Sequence, residues 1–247
     1  MKTKNLLSAF LMLLFIISCK NGEVKPDNIY KFKEYISYTT SGIVSKTEKI
    51  TINLAKEVEN WKPDQEISSD LISIKPFVNG KIKTLNKHAF VFIPDEDLDS
   101  GTEYTVTIKL NELYKNIAQE FENYIIQFKT ITPNFSIQTK SLQSYSKEYQ
   151  YLEGIVNSAD VISLENVKKL LNASQKGTSN KIVWNESYKN ARIFEFKIDS
   201  IQRFDDESKL EINWNGKSID ADSKGENEIS IPSKNNFKVL SVKVYNE

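Results

Sequence analysis

The sequence predicts an all-β protein built from two tandem β-sandwiches, and three observations support this prediction. Short segments in which apolar and polar residues alternate recur along most of the chain, as in residues 102–108 (TEYTVTI). Asn-Gly pairs at 79–80 and 215–216 mark tight turns, because both turn positions need positive φ. A Thr-Pro-Asn sequence at 132–134 interrupts the pattern in mid-chain, and a fresh alternation follows it.

The first predicted sandwich covers residues 34–132 and holds six or seven short strands separated by turns. In residues 47–54, Ile50, Ile52 and Leu54 share one face of a strand. Pro94 ends another strand, because proline has no N–H to donate to a neighbouring strand. The remaining predicted strands of this unit lie at 71–74, 89–93, 102–108 and 124–130, and residues 77–81 are predicted to hold a hairpin turn.

The second predicted sandwich covers residues 134–247 and contains one short inserted helix. Behind Ser163, a residue type that caps helices, the residues Leu164, Val167, Leu170 and Leu171 repeat at helical spacing. Strands are predicted on both sides of this helix, at 135–139, 149–156, 192–198, 209–214 and, for the last strands, around Ile229, Ile231, Phe237, Val239 and Leu240.

The first 18 residues have the features of an export signal. Lys2 and Lys4 precede an apolar run from Leu6 to Ile17, which is shorter than the ~20 residues that span a bilayer. The run ends in Ile-Ile-Ser-Cys, which resembles the lipobox of bacterial lipoproteins, and this resemblance implies cleavage before Cys19 and acylation of its thiol. The alternative is an ordinary secretory signal.

The lipoprotein interpretation predicts a signal peptide over 1–18 and a lipidated polar tether over 19–33. Cys19 is the only cysteine in the chain, so the exported thiol has no disulfide partner and needs another use. The expected location is the cell envelope of a Gram-negative bacterium, at the outer membrane on its periplasmic side or at the cell surface. The N-terminal lipid would then be the contact with the membrane.

Composition excludes several classes of function. The chain has 33 basic and 33 acidic residues, and removal of Lys2 and Lys4 with the signal leaves a small acidic excess. We therefore expect no nucleic-acid partner. No Gly-x-Ser-x-Gly elbow and no glycine-rich phosphate loop occur in the sequence.

Few residues are candidates for chemistry, and we predict no catalytic, cofactor-binding or metal-binding residues. His88 is the only histidine, and it lacks the second His or Cys that would complete a metal site. The acidic clusters at 95–99 and 205–207 lack the residue spacing of a Ca²⁺-binding loop. We therefore interpret them as charged side chains of loops that face solvent. Trp61 lies before Pro63 in a loop-like segment and is the best candidate for ligand binding, with core packing as its alternative.

Three longer stretches follow one another behind Cys19 in an order typical of one family. They are YTTSGIVSKTEKITINL (38–54), FIPDEDLDSGTEYTVTI (92–108) and LEINWNGKSIDADSKGENEISIPSKNNFKVLSVKV (210–244). Together they resemble the N-terminal macroglobulin-like and bacterial immunoglobulin-like (Ig-like) domains of lipoproteins in the bacterial alpha-2-macroglobulin family. The resemblance covers roughly residues 34–247 and implies two tandem Ig-like, macroglobulin-like sandwiches.

Members of that family are long endopeptidase inhibitors that trap a protease after it cuts a bait region, and many carry an internal Cys-x-Glu-Gln thioester. This sequence has no cysteine after Cys19, so it lacks the thioester. We therefore expect a non-enzymatic, membrane-anchored N-terminal segment of such an inhibitor, truncated and without bait. Its expected partners are the remainder of the inhibitor or a target protease. The alternative is an Ig-like surface lipoprotein that binds glycan or protein, as an adhesin or a nutrient-capture accessory.

Overall fold

The computed structural model describes residues 25–236, and these residues form two β-sandwiches, as the sequence predicts. Each sandwich has its own hydrophobic core, and strands supply nearly all of the regular structure. Within the described residues, no helix is long and apolar enough to span a membrane. The predicted signal, Cys19, and the predicted strand residues Phe237, Val239 and Leu240 lie outside the described residues.

The first sandwich contains nine strands in two sheets. One sheet has the order β1-β3-β7-β6-β4 and the other has the order β2-β9-β8-β5. All pairings within this sandwich are antiparallel except that of β2 with β9, and the chain crosses from one sheet to the other between β1 and β2. The strands are β1 Ile36–Thr39, β2 Gly42–Val44, β3 Ile50–Leu54, β4 Glu66–Ile67, β5 Ile72–Lys75, β6 Gly80–Asn86, β7 Ala89–Pro94, β8 Glu103–Lys109 and β9 Asn123–Thr130.

Alternation along the strands explains which side chains fill the first core. In β8, Tyr104, Val106 and Ile108 are buried, while the threonines between them lie closer to solvent. The Tyr104 ring stacks on Phe128 of β9 at 5.4 Å between centroids, which joins the two central strands of this sheet from inside.

The segment before β1 corrects the predicted tether over residues 19–33. Asp27 pairs with β9 through two hydrogen bonds of 2.8 Å: its N–H donates to the Ile125 carbonyl, and its carboxylate accepts from the Ile125 N–H. Phe32 is 1% exposed and packs against Phe121 and Tyr124. The polar composition hid this packing because the buried residues of a turn follow no strand or helix period. The first sandwich therefore begins near residue 27 instead of 34.

The second sandwich contains nine strands and one short α-helix. Its sheets have the orders β10-β12-β16-β15, with β11 also paired to β12, and β14-β13-β17-β18. The elements are β10 Phe135–Thr139, β11 Gln143–Ser144, β12 Tyr149–Ser163, α1 Leu164–Lys168, β13 Leu171–Gln175, β14 Thr178–Ser179, β15 Ile182–Trp184, β16 Asn190–Gln202, β17 Ser208–Asn215 and β18 Lys224–Ile231.

The predicted inserted helix is confirmed as α1 between β12 and β13. The Ser163 hydroxyl accepts a hydrogen bond from the Asn166 N–H at 3.2 Å and so caps the first turn. Val167 faces the core, but the helix ends at Lys168, and Leu171 already belongs to β13. The strand before the helix is longer than predicted, because β12 continues to Ser163.

Candidate functional site

Trp61, the predicted binding residue, lies in the core of the first sandwich. Its side chain is 8% exposed and meets Phe90 edge to face at 5.7 Å between ring centroids. This observation favours the packing alternative and corrects the hypothesis that Trp61 presents a ring to a ligand. Cys19, the predicted lipidation site, precedes the described residues.

The other polar residues considered from the sequence stand apart from one another. His88 lies in the turn before β7 with half of its side chain exposed, and its Nε2 is 3.8 Å from Glu57 Oε1. In the acidic cluster at 95–99, Asp97 pairs with Lys46 at 3.5 Å. Among residues 25–236, no three His, Cys, Asp or Glu side chains stand close enough to hold a metal ion.

A tyrosine-rich patch on the outside of the second sandwich is the strongest candidate site, and we call it the tyrosine face. Residues of β12 alternate, so Tyr149 and Tyr151 point outward while their neighbours are buried. Tyr145, just after β11, is 53% exposed and Tyr149 is 41% exposed. Lys197 and Asp199 of β16 complete the tyrosine face from the adjacent strand.

A β-bulge and a network of hydrogen bonds fix the tyrosine face. Tyr145 stacks on Tyr151 at 5.7 Å between centroids and 20° between planes. The Tyr145 hydroxyl donates to Asp199 Oδ1 at 3.1 Å and accepts from the Ser200 N–H at 3.2 Å. Ser200 has a φ of +55° where the register of β12 and β16 shifts. Non-glycine residues rarely adopt this conformation, and bulges of this kind redirect nearby side chains.

The charges on this face are held in pairs. Burial alone raises the pKa of Asp199, but the Ser200 N–H, the Tyr145 hydroxyl and Lys197 lower it, and the net shift is downward. Lys197 Nζ lies 3.4 Å from Asp199 Oδ2 and 5.5 Å from the Tyr151 ring centre. The ammonium therefore binds the carboxylate and covers one side of the stacked tyrosine pair.

An open trough of about 260 Å³ continues from the tyrosine face along the same sheet. Lys140 and Glu153 form an ion pair of 3.0 Å on one side of it, and Asn185 donates to Glu195 at 3.2 Å on the other. The trough therefore offers carboxylates, ammonium groups and an amide beside a small apolar strip. Its lining includes Lys140, Glu153, Ile155, Val183, Asn185, Glu195 and Lys197.

A second notable site is the junction between the two sandwiches, centred on Asp160. This side chain is 7% exposed and lies in an irregular part of β12, between the register positions of Asn157 and Ile162. Its Oδ1 accepts from the Ser45 hydroxyl at 2.6 Å, and its Oδ2 accepts from the Lys46 N–H at 2.8 Å.

Two more donors complete the surroundings of the Asp160 carboxylate. They are the Val161 N–H at 2.8 Å and Arg192 at 3.3 Å. Burial alone raises the pKa of Asp160, but the hydrogen bonds from Ser45, Lys46 and Val161, together with the Arg192 charge, give a net lowering. The junction is therefore a carboxylate of the second sandwich that is held by two donors of the first sandwich, Ser45 and Lys46, and by two of its own.

Sequence reasoning missed both sites for the same reason. Each depends on an irregularity of β12, at Tyr151 and around Asp160, where the pairing register shifts. Bulges leave little trace in an alternating pattern, so the side chains that they redirect are read as ordinary surface residues. The one available signal was the spacing of Tyr149 and Tyr151, which places two aromatic residues on the solvent side of one strand.

Comparisons with known proteins give no family assignment. No protein-family model matches the chain, and no curated protein matches it. The crystal structure of L,D-transpeptidase 3 from Mycobacterium tuberculosis in complex with a faropenem-derived adduct is 10% identical, with a TM-score of 0.28, over 49% of this chain and 46% of that chain. An L,D-transpeptidase from Mycobacterium tuberculosis H37Rv is also 10% identical, with a TM-score of 0.27, over 68% of this chain and 75% of that chain.

This chain thus spans less than half the length of the first of these structures. Likenesses at such TM-scores carry no argument about function.

Proposed function

We propose that this protein is a non-enzymatic, lipid-anchored arm of the cell envelope that holds and positions a larger partner. In the specific form that the resemblance implies, the partner is the remainder of a macroglobulin-like endopeptidase inhibitor. The observation that carries the proposal is the Asp160 junction, because an arm can position its partner only if its domains keep one orientation. Without such a contact, relative motion of domains is the default.

The physical argument concerns the cost of opening the junction. The Asp160 side chain is 7% exposed, so its carboxylate has lost most of its contact with water, and only its hydrogen-bond donors compensate for the lost hydration. Separation of the sandwiches would remove the Ser45 and Lys46 donors and leave Arg192 as its main partner from outside β12. Removing the partners of a buried charge is strongly unfavourable, so the closed orientation is preferred.

The attachment between the sandwiches is also short. The Ile131 N–H donates to the Val44 carbonyl at 2.9 Å, and the Ala159 N–H donates to the Asn134 carbonyl at 2.8 Å. Residues 131 and 134 are therefore each tied to one sandwich, so few linker residues are left to bend. This arrangement supports a stiff arm in which the two sandwiches keep one orientation.

The orientation can be tested with spin labels in the mature, detergent-solubilised protein. If Cys19 is acylated, two introduced cysteines are the only free thiols, because the chain has no other cysteine. Labels at the exposed positions Ser73 and Asn172 would report one distance between the sandwiches by double electron–electron resonance. We expect a single narrow distance distribution, whereas a broad one would contradict a stiff arm.

A second experiment separates an arm from a complete inhibitor. The mature chain is mixed with several broad-specificity proteases, and hydrolysis of small and large substrates is followed in parallel. An arm without bait or thioester leaves both rates unchanged. Selective protection of the large substrate, or a covalent protease adduct, would identify the chain as a trap in its own right.

A further inference from the structure

We propose that the tyrosine face and the adjoining trough bind an uncharged oligosaccharide chain. The inference depends only on the outer surface of the second sandwich and is independent of anchoring and of the Asp160 junction. It also chooses between the two ligands, glycan and protein, that the sequence leaves open for a surface lipoprotein.

The aromatic platform is the first part of the argument. A pyranose ring presents C–H bonds on its flat faces, and these carry slight positive charge, whereas the face of an aromatic ring is negative. Tyr145 is more than half exposed as a residue, and its hydroxyl is hydrogen-bonded to Asp199 and to the Ser200 N–H. A ring that is already fixed loses little conformational entropy when a ligand stacks on it.

Hydrogen-bonding groups beside the platform are the second part. A sugar hydroxyl both donates and accepts, so a sugar site needs both kinds of group in reach. The trough supplies acceptors at Glu153 and Glu195 and donors at Lys140, Asn185 and Lys197. These side chains are held in pairs by mutual hydrogen bonds before any ligand arrives, as the Asn185–Glu195 contact shows.

The shape of the surface favours a chain over a single sugar. From Tyr149 to Ile155, alternate residues of β12 line the surface over about 20 Å at the usual rise of a strand. The trough is open to solvent, so it would cover one side of an extended ligand instead of enclosing a small one.

The charges of the tyrosine face and the trough disfavour binding of acidic polysaccharides. The two lysines of this surface are each within ion-pair distance of a carboxylate, Lys140 of Glu153 and Lys197 of Asp199. Glu195 adds a third carboxylate, so negative groups outnumber positive ones across the face. A polyuronate or sulfated glycan would meet net repulsion here.

The same charges argue against a protein as the occupant. The centres of protein–protein interfaces are depleted in charged residues and rich in apolar ones. Here the centre of the surface carries Glu153 and Lys197, directly paired in the register of β12 and β16, and the apolar residues Ile155, Val183 and the exposed Ile193 lie beside this charged centre.

The test uses the mature chain and a panel of neutral hexasaccharides with different linkages: cellohexaose, maltohexaose, xylohexaose and hexa-N-acetylchitohexaose. Isothermal titration calorimetry should detect binding of at least one of them, and the oligogalacturonate hexamer should bind at least tenfold more weakly. Failure of every neutral oligosaccharide to bind, or preferential binding of the oligogalacturonate, would overturn the proposal.

Two variants locate the site if binding is found. Tyr145→Ala should weaken binding at least tenfold, and Tyr145→Phe should weaken it less, because the ring remains and only the contacts to Asp199 and Ser200 are lost. Tyr188→Ala is the matched control, since Tyr188 is a 67% exposed tyrosine outside the face. Equal loss in the Tyr145→Ala and Tyr188→Ala variants, or none in Tyr145→Ala, would place the binding elsewhere and refute this site.

Discussion

At the scale of single residues, Asp160 is the side chain whose replacement tests the junction most directly. Asp160→Asn keeps the volume but removes the charge, and its amide group places a donor where Ser45 and Lys46 already donate. Hydrogen bonds to charged groups contribute about 1.5–3 kcal/mol each, so we expect a loss of about 1–3 kcal/mol in stability. The spin-label distance between Ser73 and Asn172 should broaden at the same time.

The matched control for this change is Asp206→Asn, which removes the same charge from an exposed loop. It should leave both the stability and the distance distribution unchanged. If Asp160→Asn behaves like Asp206→Asn, the junction does not hold the sandwiches together.

The pH dependence of the junction follows from the direction of its pKa shift. Because the pKa of Asp160 is lowered in the folded chain, its carboxylate stabilises the fold at every pH above the unfolded value, near 4. This stabilisation is lost as the pH falls below about 4 and through the lowered pKa. The distance distribution should therefore stay narrow at pH 5–8 and broaden only in stronger acid, and broadening already at pH 6 would contradict this account.

Cys19 is the other residue with a specific prediction, although it lies outside the described residues. If it carries the lipid, Cys19→Ala should release the protein from membranes or block its maturation, because each buried CH₂ of an acyl chain contributes about 0.8 kcal/mol to anchoring. Membrane fractionation and the intact mass of the mature protein measure this. Unchanged fractionation together with an unchanged mass would rule out lipidation at Cys19.

At the scale of elements, β12 organises the second sandwich. It pairs with β10, β11 and β16, carries two of the three tyrosines of the tyrosine face, and supplies Asp160 at the junction. Its Gly154 faces the Phe196 ring so closely that a Cβ atom would overlap it. The missing side chain is therefore a requirement of packing between β12 and β16.

Gly154→Ala should destabilise the second sandwich by about 1–3 kcal/mol, the usual cost of overpacking a core. Thermal unfolding followed by circular dichroism gives the size of the effect. Asn157→Ala, a substitution on the outer side of the same strand, is the control and should change the melting temperature little. If Gly154→Ala left the melting temperature unchanged, the Phe196 ring would be free to move aside, and β12 would be less constrained than its packing indicates.

The comparison of sequence with structure is also clearest at the scale of elements. Strands such as β8 were predicted from sequence because one face of each is buried and the other is solvated, which produces strict alternation. The packing of Phe32 and Trp61 was not predictable in this way, because turns and loops bury side chains without a period. The tyrosine face and the junction escaped prediction because they depend on register shifts in β12, which are set by pairing with β16.

At the scale of the whole molecule, the two cores are separate, yet the junction couples the sandwiches. Each core draws its buried residues from its own half of the chain, which predicts that the halves can fold alone. The coupling predicts that the second half alone is less stable, because in residues 134–247 alone the Asp160 carboxylate would lose its hydrogen bonds from Ser45 and Lys46. That half should therefore melt at a lower temperature than the same sandwich in the intact chain.

The first half gives a sharper test, because its start is decided by packing and not by composition. A piece spanning residues 25–132 keeps the Asp27 contacts with β9 and the buried Phe32, whereas a piece spanning 34–132 lacks both. Removal of a buried phenylalanine side chain costs about 3–5 kcal/mol, which corresponds to a drop on the order of 10 °C or more in melting temperature for a domain of this size. The longer piece should show β-type circular dichroism, and the shorter one should melt earlier or fail to fold. Equal melting temperatures of the two pieces would mean that residues 27–33 do not stabilise the first sandwich. Failure of both 25–132 and 134–247 to fold would mean that each sandwich needs the other in order to fold.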